Sequence, residues 1–218
     1  MRPPKIVGVI FSRSDLERAT RMRKPPDLFE LRLDRLIDPA IERLPAPFII
    51  TARDPREGGA NNLSVLRRRT LLQKFLPHAS YVDVELRSAR ALQPVRRSAA
   101  EKNVATIISF HDLKTTPSAS RLDEIACRAR SLGAAIVKVA TRTDTPAQLD
   151  RLLDFWERQR PARDVVAMGI GKLGRASRIE LTRRGNILSY VHLGSPAAAG
   201  QLSIQELRRF ARRRNAVS

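Results

Sequence analysis

The chain alternates between short apolar runs rich in β-branched residues and segments with helical spacing, and this alternation restricts its fold more than any other feature. Eight runs predict strands, at residues 5–11, 28–33, 48–51, 81–86, 104–109, 134–141, 165–170 and 187–193. Eight helices are predicted between and after them, at residues 14–23, 39–44, 63–76, 88–102, 118–132, 146–158, 175–184 and 203–213. This pattern indicates an α/β protein with the fold of a (β/α)8 TIM barrel.

An open doubly wound sheet is the competing architecture. It fits less well, because the first predicted strand runs into GVIFSRS, which has a single glycine instead of the G-x-G-x-x-G of dinucleotide-binding folds. The sequence shows no linker, internal repeat or low-complexity segment, and its 218 residues suit one domain. We therefore expect residues 1–218 to form a single barrel domain.

The chain is strongly basic, with 41 Lys and Arg against 22 Asp and Glu and a formal net charge of +19. Such an excess is typical of nucleic-acid-binding proteins, and it also suits an anionic small substrate. Aromatic residues make up only 5% and do not alternate with the basic residues, so no stacking platform for bases is predicted. We interpret most basic residues as solvated helix faces and expect no nucleic-acid partner; the clusters are Arg67–Arg69, Arg208–Arg209 and residues 212–214.

The single cysteine, Cys127, excludes an internal disulfide and is consistent with a reducing, cytoplasmic location. Its helical context predicts a small core residue. We find no segment apolar and long enough to cross a membrane, and the short apolar N-terminal stretch resembles a first strand more than a signal peptide. No membrane partner is expected.

Lys138 stands in the middle of an apolar run, AAIVKVAT, that predicts a strand buried on both faces. A lysine buried there must pair with an opposite charge or lose its proton. A neutral, desolvated amine is the usual nucleophile for a Schiff base with a carbonyl substrate. The alternative is a lysine with a structural partner, or one whose amine reaches the strand end.

Ionisable side chains recur near the C-terminal ends of the predicted strands, where barrel enzymes place their chemistry. His111, beside Asp112, suits a general acid or base near neutral pH; a structural histidine is the alternative. Glu57 is expected to orient the imidazole. Arg53 and Arg178 are candidates for bidentate binding of a carboxylate, although a lone loop arginine is usually solvated.

Two pairs of charged residues repeat at strand spacing. Glu30 and Arg32 share one face of the second strand, and we expect them to pair with each other in the barrel interior. A purely structural ion pair is the alternative. Asp83 and Glu85 repeat this spacing on the fourth strand, where we expect a structural or supporting role.

These residues together resemble type I 3-dehydroquinate dehydratase, the Schiff-base class of that enzyme. The matching motifs follow the family's order over nearly the whole chain, and six in order are specific where any one is not. They are E-L-R-L-D at 30–34, R-x-x-x-E-G-G at 53–59, S-x-H-D at 109–112, V-K-V-A at 137–140, G-K-L-G-x-x-S-R at 171–178 and G-Q at 200–201.

The resemblance implies a barrel enzyme that removes water from 3-dehydroquinate to give 3-dehydroshikimate, in the shikimate route to chorismate. Lys138 would form an imine with the ring ketone, His111 would move protons, and Glu57 would hold His111. Glu30, Arg32 and Arg53 would bind the substrate's ring hydroxyls, Arg178 its carboxylate, and Gln201 would close the pocket. No metal or organic cofactor is implied, because the imine is itself the electron sink. Members of the family often form homodimers, and the sequence identifies no interface.

One position departs from the family, which usually reads S-A-P-G-Q where residues 197–201 read AAAGQ. The hydroxyl that would contact the substrate is missing at Ala197, and losing one neutral hydrogen bond should weaken binding by about 0.5–1.5 kcal/mol. Two alternatives remain open at this stage. Another Schiff-base barrel such as an aldolase would use the same lysine, and a nucleic-acid-binding protein would explain the charge.

Overall fold

The structure is a computed structural model that describes residues 4–36, 38–162 and 164–212. Its strands are β1 (Lys5–Ile10), β2 (Leu28–Arg32), β3 (Phe48–Thr51), β4 (Tyr81–Glu85), β5 (Ala105–Asp112), β6 (Ile136–Arg142), β7 (Val165–Ile170), β8 (Leu188–His192) and β9 (Leu202–Ser203). Its α-helices are α1 (Arg13–Thr20), α2 (Val65–Phe75), α3 (Gln93–Glu101), α4 (Ala119–Ser131), α5 (Pro146–Gln159), α6 (Gly174–Arg184) and α7 (Ile204–Arg212). Within the described ranges, no helix combines the length and the apolar character that crossing a bilayer requires.

The strands form one curled parallel sheet in the order β7-β6-β5-β4-β3-β2-β1-β8-β9. β1 pairs with both β2 and β8, so the first and eighth strands are neighbours and the sheet bends into a ring. An α-helix connects each pair of successive strands from β1 to β8 except β2 and β3, which are joined by turns and coil in the described residues. The predicted (β/α)8 barrel is therefore confirmed, with all eight predicted strands present and the short β9 as an addition that the sequence did not indicate.

The ring closes between β7 and β8 without a backbone ladder between these two strands in the described part of the chain. The side chain of Asn186 bridges them instead: Oδ1 accepts from the backbone N of Ala167 (3.2 Å), and Nδ2 donates to the carbonyls of Ala167 and Leu188 (both 3.0 Å). Nearer the C-terminal end, Gly171 N donates to the carbonyl of Ala199 (3.3 Å). A side chain and the segment after β8 thus complete the wall.

Several helix ends follow local sequence signals. Pro146 begins α5, and Thr145 and Gln148 form a capping box around it. Gly185 ends α6 with a φ of 104°, a left-handed conformation that glycine adopts without a steric penalty. Ser64 caps α2 by accepting from the backbone N of Arg67. These signals determine where the helices begin and end.

Two predictions about individual segments are wrong, and one extends past the described residues. Residues 39–44 form turns and coil, because prolines at 39, 45 and 47 leave too few residues for a stable helix. Cys127 is exposed on α4, since it lies on the face of the helix that does not pack against the sheet. The last predicted helix is α7, and residue 213 of that prediction lies outside the described residues, as does residue 214 of the basic cluster.

Alternate side chains of each strand face the barrel interior, and this period of two determines what the interior contains. The lower interior is an apolar layer that includes Val7, Leu28, Ile49, Ile107, Ile136, Val166 and Leu188. Two residues further along β2 and β6, the same face carries Glu30 and Lys138. The barrel interior is therefore apolar at its base and charged towards the C-terminal ends of the strands.

Candidate functional site

A cavity of about 260 Å³ opens at the C-terminal end of the barrel. It is lined by all eight residues that the sequence proposes for the site, together with apolar residues from β1, β6 and β7. The eight are Glu30, Arg32, Arg53, Glu57, His111, Lys138, Arg178 and Gln201. Residues that are spread from β2 to the loop after β8 are thus brought to one place.

Lys138 lies at the floor of this cavity, with only 3% of its surface exposed. Its Nζ lies 2.8 Å from Asp83 Oδ2 and 3.3 Å from Glu30 Oε1. The ring of Tyr190 lies below the amine, with 4.2 Å between Nζ and the ring centroid, a distance typical of a cation–π contact. The ammonium is therefore held in place by two carboxylates and one aromatic face.

Arg53 joins the lysine side of the site to the histidine side. Its Nη1 lies 2.9 Å from Ser109 Oγ and 3.1 Å from His111 Nδ1, and its Nη2 lies 3.3 Å from Asp83 Oδ2. Burial opposes its charge, but the surrounding carboxylates, Asp83 first, raise the pKa of Arg53 above its usual value. The guanidinium therefore stays charged and ties these side chains together.

His111 is the penultimate residue of β5, within the strand and not after it, and it faces Glu57. Glu57 Oε2 lies 2.9 Å from His111 Nδ1 and accepts from the backbone N of His111 at 3.0 Å. Burial, followed by the charges of Arg53 and Lys138, lowers the pKa of His111 well below 6.5. The imidazole is therefore neutral at neutral pH, as a general base must be.

The pKa of Glu57 is raised to about 8, first by burial and then by the negative charge of Glu85. The carboxyl can therefore hold a proton near neutral pH. Since Glu57 Oε2 lies at hydrogen-bonding distance from Nδ1 of His111, this proton can move between Glu57 and the imidazole.

A tight turn presents Glu57 to the histidine. Asp54 caps the 3-10 helix Pro55–Glu57 by accepting from the backbone N of Arg56. Gly58 then adopts a φ of 88°, and a Cβ on Gly59 would lie 2.1 Å from the carbonyl oxygen of Arg53. The E-G-G sequence is thus required by the backbone: the first glycine supplies the left-handed conformation and the second the close approach.

Arg178 is a buried cation without an acidic partner in the described part of the chain. It is 8% exposed, and its Nη1 donates to the carbonyl of Tyr190 at 3.4 Å. Its Nε has no hydrogen-bond partner among the described residues. Burial lowers the pKa of Arg178 to about 10, so the side chain is still charged at neutral pH. An uncompensated guanidinium in the wall of a cavity is suited to an anionic ligand.

Gln201 reaches the cavity from the loop after β8. Its Oε1 accepts from the backbone N of Ala197 at 2.7 Å, which holds two lining residues of the loop together. Ala197 itself lines the cavity beside Gln201. The position where the resembling family carries a hydroxyl therefore faces the same space as the other site residues.

The expected pairing of Glu30 with Arg32 is wrong. Arg32 forms a bidentate ion pair with Asp34, with both nitrogen–oxygen distances at 2.8 Å. Asp34 is fully buried and also accepts from the backbone N of Arg53, so it is a fixed acceptor at the rim. Glu30 instead accepts from Thr51 Oγ1 at 2.9 Å and from Lys138. The long side chain of Arg32 reaches the rim, where Asp34 offers the better geometry.

The sequence-based prediction omitted two residues near Lys138 and Arg53 and assigned a third only a minor role. Asp83, expected to be structural or supporting, is the carboxylate nearest to Lys138. Ser109 hydrogen-bonds to Asp83 and to Arg53. Tyr190 was absent from the prediction. The period of two was the available signal, because all three share the inward face of their strands.

The interpretation of the basic residues of α2 as solvated is wrong for Arg68, which is 1% exposed. Arg67, its neighbour in the chain, is exposed as expected. Arg68 points inward because α2 packs against the ends of β3 and β4, where several acceptors converge on its guanidinium.

A family profile and two curated proteins that resemble this chain all belong to the same class of enzyme. Residues 11–216 match the sequence profile of the family described as Type I 3-dehydroquinase. The 3-dehydroquinate dehydratase of Thermococcus gammatolerans is 33% identical over 214 residues, which cover 94% of this chain and 96% of that protein. The 3-dehydroquinate dehydratase of Pyrococcus abyssi is 35% identical over 187 residues, covering 84% and 85% of the two chains.

Solved structures show the same relationship in three dimensions. The crystal structure of 3-dehydroquinate dehydratase from Geobacillus kaustophilus superimposes with a TM-score of 0.87 at 26% sequence identity. The match covers 99% of this chain and 92% of that one. The whole barrel, and not a fragment of it, is therefore shared.

Proposed function

The chain belongs to the type I 3-dehydroquinase family, and we propose that it converts 3-dehydroquinate to 3-dehydroshikimate and water through a Schiff base on Lys138, as the third step of the shikimate route to chorismate. The observation that carries this proposal is the placement of the Lys138 amine. It is buried at the floor of the cavity, and its cross-strand neighbour on β5 is Ser109, two residues before His111 on the same face. A nucleophile and a neutral base thus face one space.

The first step is attack of the unprotonated Lys138 amine on the ring ketone. Loss of one water from the resulting carbinolamine forms the imine. Protonated, this imine withdraws electrons from the ring and makes the adjacent C–H acidic. Asp83 and Glu30, which now hold the ammonium, are positioned to stabilise the iminium.

The second step is removal of that proton by His111, followed by loss of the hydroxyl on the next ring carbon. The C–H electron pair becomes a ring double bond by way of the enamine, and His111 returns its proton to the departing hydroxyl, which leaves as water. Hydrolysis of the imine then consumes one water and restores the lysine. One water is formed and one consumed at the imine, so the net product is the single water of the elimination.

The remaining residues bind and orient the substrate. Arg178, which lacks an acidic partner in the described structure, would pair with the substrate carboxylate. Glu30, Arg32 and Arg53 would hold ring hydroxyls. Gln201 would close the opening, since its loop already lines the cavity. The lysine supplies the electron sink, so this proposal requires neither a metal nor an organic cofactor.

We propose that a small molecule, and not nucleic acid, is the partner of this basic chain, and that the reaction takes place in the cytoplasm. Many arginines are paired with acids of the same chain, as Arg130 is with Asp164 and Arg184 with Glu180. Such pairs reduce the charge available to a phosphate backbone. Binding to duplex or single-stranded oligonucleotides should therefore be weak and disappear at moderate salt. Tight, salt-sensitive binding would contradict this part of the proposal.

The proposed reaction is tested by trapping its covalent intermediate. Incubation with 3-dehydroquinate and borohydride should reduce the imine to a stable adduct, and peptide mass spectrometry should locate the adduct on Lys138. Lys138→Ala should give no adduct, whereas Lys172→Ala, a lysine exposed in the loop after β7, should trap normally. Absence of an adduct in the unaltered protein, together with no formation of the conjugated product, would contradict the proposal.

A further inference from the structure

Arg68 lies directly behind the site, outside the ring of strands, and its guanidinium makes contacts in several directions. Nε donates to the carbonyl of Ala52 (2.7 Å), and Nη1 donates to Asp54 Oδ2 and to Ser88 Oγ (both 3.0 Å). Nη2 forms an ion pair with Glu85. A planar guanidinium with its donors in a fixed fork can hold these groups in one arrangement, which a lysine ammonium cannot.

The first set of contacts leads from Arg68 to the general base through Asp54. The Asp54 side chain caps the 3-10 helix that contains Glu57. The backbone carbonyl of Asp54 accepts from the backbone N of Glu57 and of Gly59 (both 2.9 Å). Glu57 in turn contacts both the backbone and the ring of His111. Arg68 therefore anchors the residue on which the position of Glu57 depends.

The second set of contacts leads through Glu85. Its Oε2 pairs with Arg68, while its Oε1 accepts from the backbone N of Asp54 (3.1 Å) and lies 3.3 Å from Arg53 Nη1. Burial raises the pKa of Glu85, and the charges of Arg53 and Arg68 oppose this effect. Arg53 Nη1 then contacts His111 Nδ1 at 3.1 Å. Both sets of contacts thus end at the same imidazole nitrogen.

We propose that Arg68 is a positioning residue of the active site, which fixes Glu57 and Arg53 around His111 without itself touching the substrate. A buried ion pair is weak evidence of stabilisation, because well-packed apolar residues often replace such pairs at no cost. What an apolar residue cannot replace is the orientation of four acceptors at once. The inference rests on the proposed function, since it assigns Arg68 a part in the proton transfers of that reaction.

Arg68→Lys tests the inference, because it keeps the charge and removes the fork. We expect kcat to fall by about tenfold to a hundredfold, since a displacement of about 1 Å in a catalytic group has effects of this order, with a smaller rise in KM because Arg53 would also bind the substrate. Arg67→Lys is the matched control: this exposed neighbour on the same helix should leave both constants unchanged. Equal kinetics for Arg68→Lys and Arg67→Lys would overturn the inference, even if Arg68→Lys lowers the melting temperature.

A double-mutant cycle distinguishes positioning from general loosening of the fold. If Arg68 acts partly through Glu57, Arg68→Lys should reduce kcat less in a Glu57→Gln background than in the unaltered chain, because only the connection through Arg53 is then left to lose; full additivity would contradict the inference. Should Arg68→Lys fail to fold, Glu85→Gln weakens the connection to Arg53 and the contact with the backbone N of Asp54, and should lower kcat more than it raises KM; unchanged kcat there would overturn the inference. Borohydride trapping in the unaltered protein tests the proposed function separately.

Discussion

Asp83 Oδ2 lies 2.8 Å from Lys138 Nζ and 3.3 Å from Arg53 Nη2, so one buried carboxylate oxygen serves two cations. Burial works against its charge, but Arg53 and Lys138 together hold the pKa of Asp83 far below its usual range. Asp83 therefore stays ionised through neutral pH. It couples the amine that would form the imine to the arginine that contacts His111, the proposed general base.

Asp83→Asn should destabilise the folded protein. Removing one member of a buried ion pair leaves the other charge uncompensated, and we expect the free energy of unfolding to fall by about 3 kcal/mol. Urea denaturation measures this loss. In a Lys138→Met background the same substitution should cost clearly less, because only Arg53 then loses its partner. An equal cost in both backgrounds would mean that Asp83 and Lys138 are not coupled.

Arg178→Met should raise the free energy of unfolding and weaken substrate binding at the same time. The guanidinium is buried without an acid beside it in the described structure, so its removal relieves a desolvation cost. The lost charge-assisted hydrogen bonds to the substrate carboxylate should raise KM by about tenfold to a hundredfold. Arg175→Met, on the exposed side of the same helix, is the control and should leave KM unchanged. A KM unaffected by Arg178→Met would exclude Arg178 as the carboxylate-binding residue.

Ala197→Ser should restore the hydroxyl that the family usually carries at the cavity. One added neutral hydrogen bond is expected to lower KM by about twofold to tenfold with little change in kcat. Ala199→Ser, in the same loop but outside the cavity lining, should have no effect. If the two variants have the same KM as the unaltered protein, this hydroxyl is irrelevant here.

The stability of the protein should depend on pH through Glu57. Its pKa is about 8 in the folded state, against an ordinary value of 4.5, so the folded state binds an extra proton between these values. The extra proton on Glu57 therefore contributes to the free energy of unfolding. This contribution is fully present below about pH 4.5 and is lost as the pH rises through about 8. Relative to Glu57→Gln, the unaltered protein should therefore lose unfolding free energy between pH 5 and 8. Parallel pH curves for the two proteins would show that Glu57 is not perturbed.

The sequence predicts the barrel and two main residues of the candidate site because both depend on short-range patterns. Alternation of strand and helix signals gives the fold, and Lys138 and His111 stand out as ionisable residues within or at the end of apolar runs. Motif spacing adds Glu57 through the E-G-G turn, whose second glycine is required by its contact with Arg53. The signals for Lys138, His111 and Glu57 each lie within one strand and the loop that follows it.

The partners of the charged residues could not be predicted in the same way. Arg32 pairs with Asp34 and not with Glu30 because its long side chain reaches the rim of the barrel, where Asp34 lies. Strand spacing does not specify how far a side chain reaches. In the sequence Arg68 resembles Arg67 and Arg69, and only the acceptors that follow β3 and end β4 explain its burial. Nothing in the sequence distinguishes Tyr190 from other strand residues. Its contact with Lys138 depends on the pairing of β8 with β1, which closes the ring and brings the Tyr190 side chain to the lysine.

The pairing of β1 with β8, and the bridging of β7 to β8 by Asn186, have a consequence for biosynthesis. On the ribosome β1 is made well before β8, so it has no second neighbouring strand until β8 has been translated. Arg178 and Gln201 arrive equally late. His111 and Lys138 therefore lie in an open sheet from their own translation until that of β8, and the cavity can form only after Gln201 has been made.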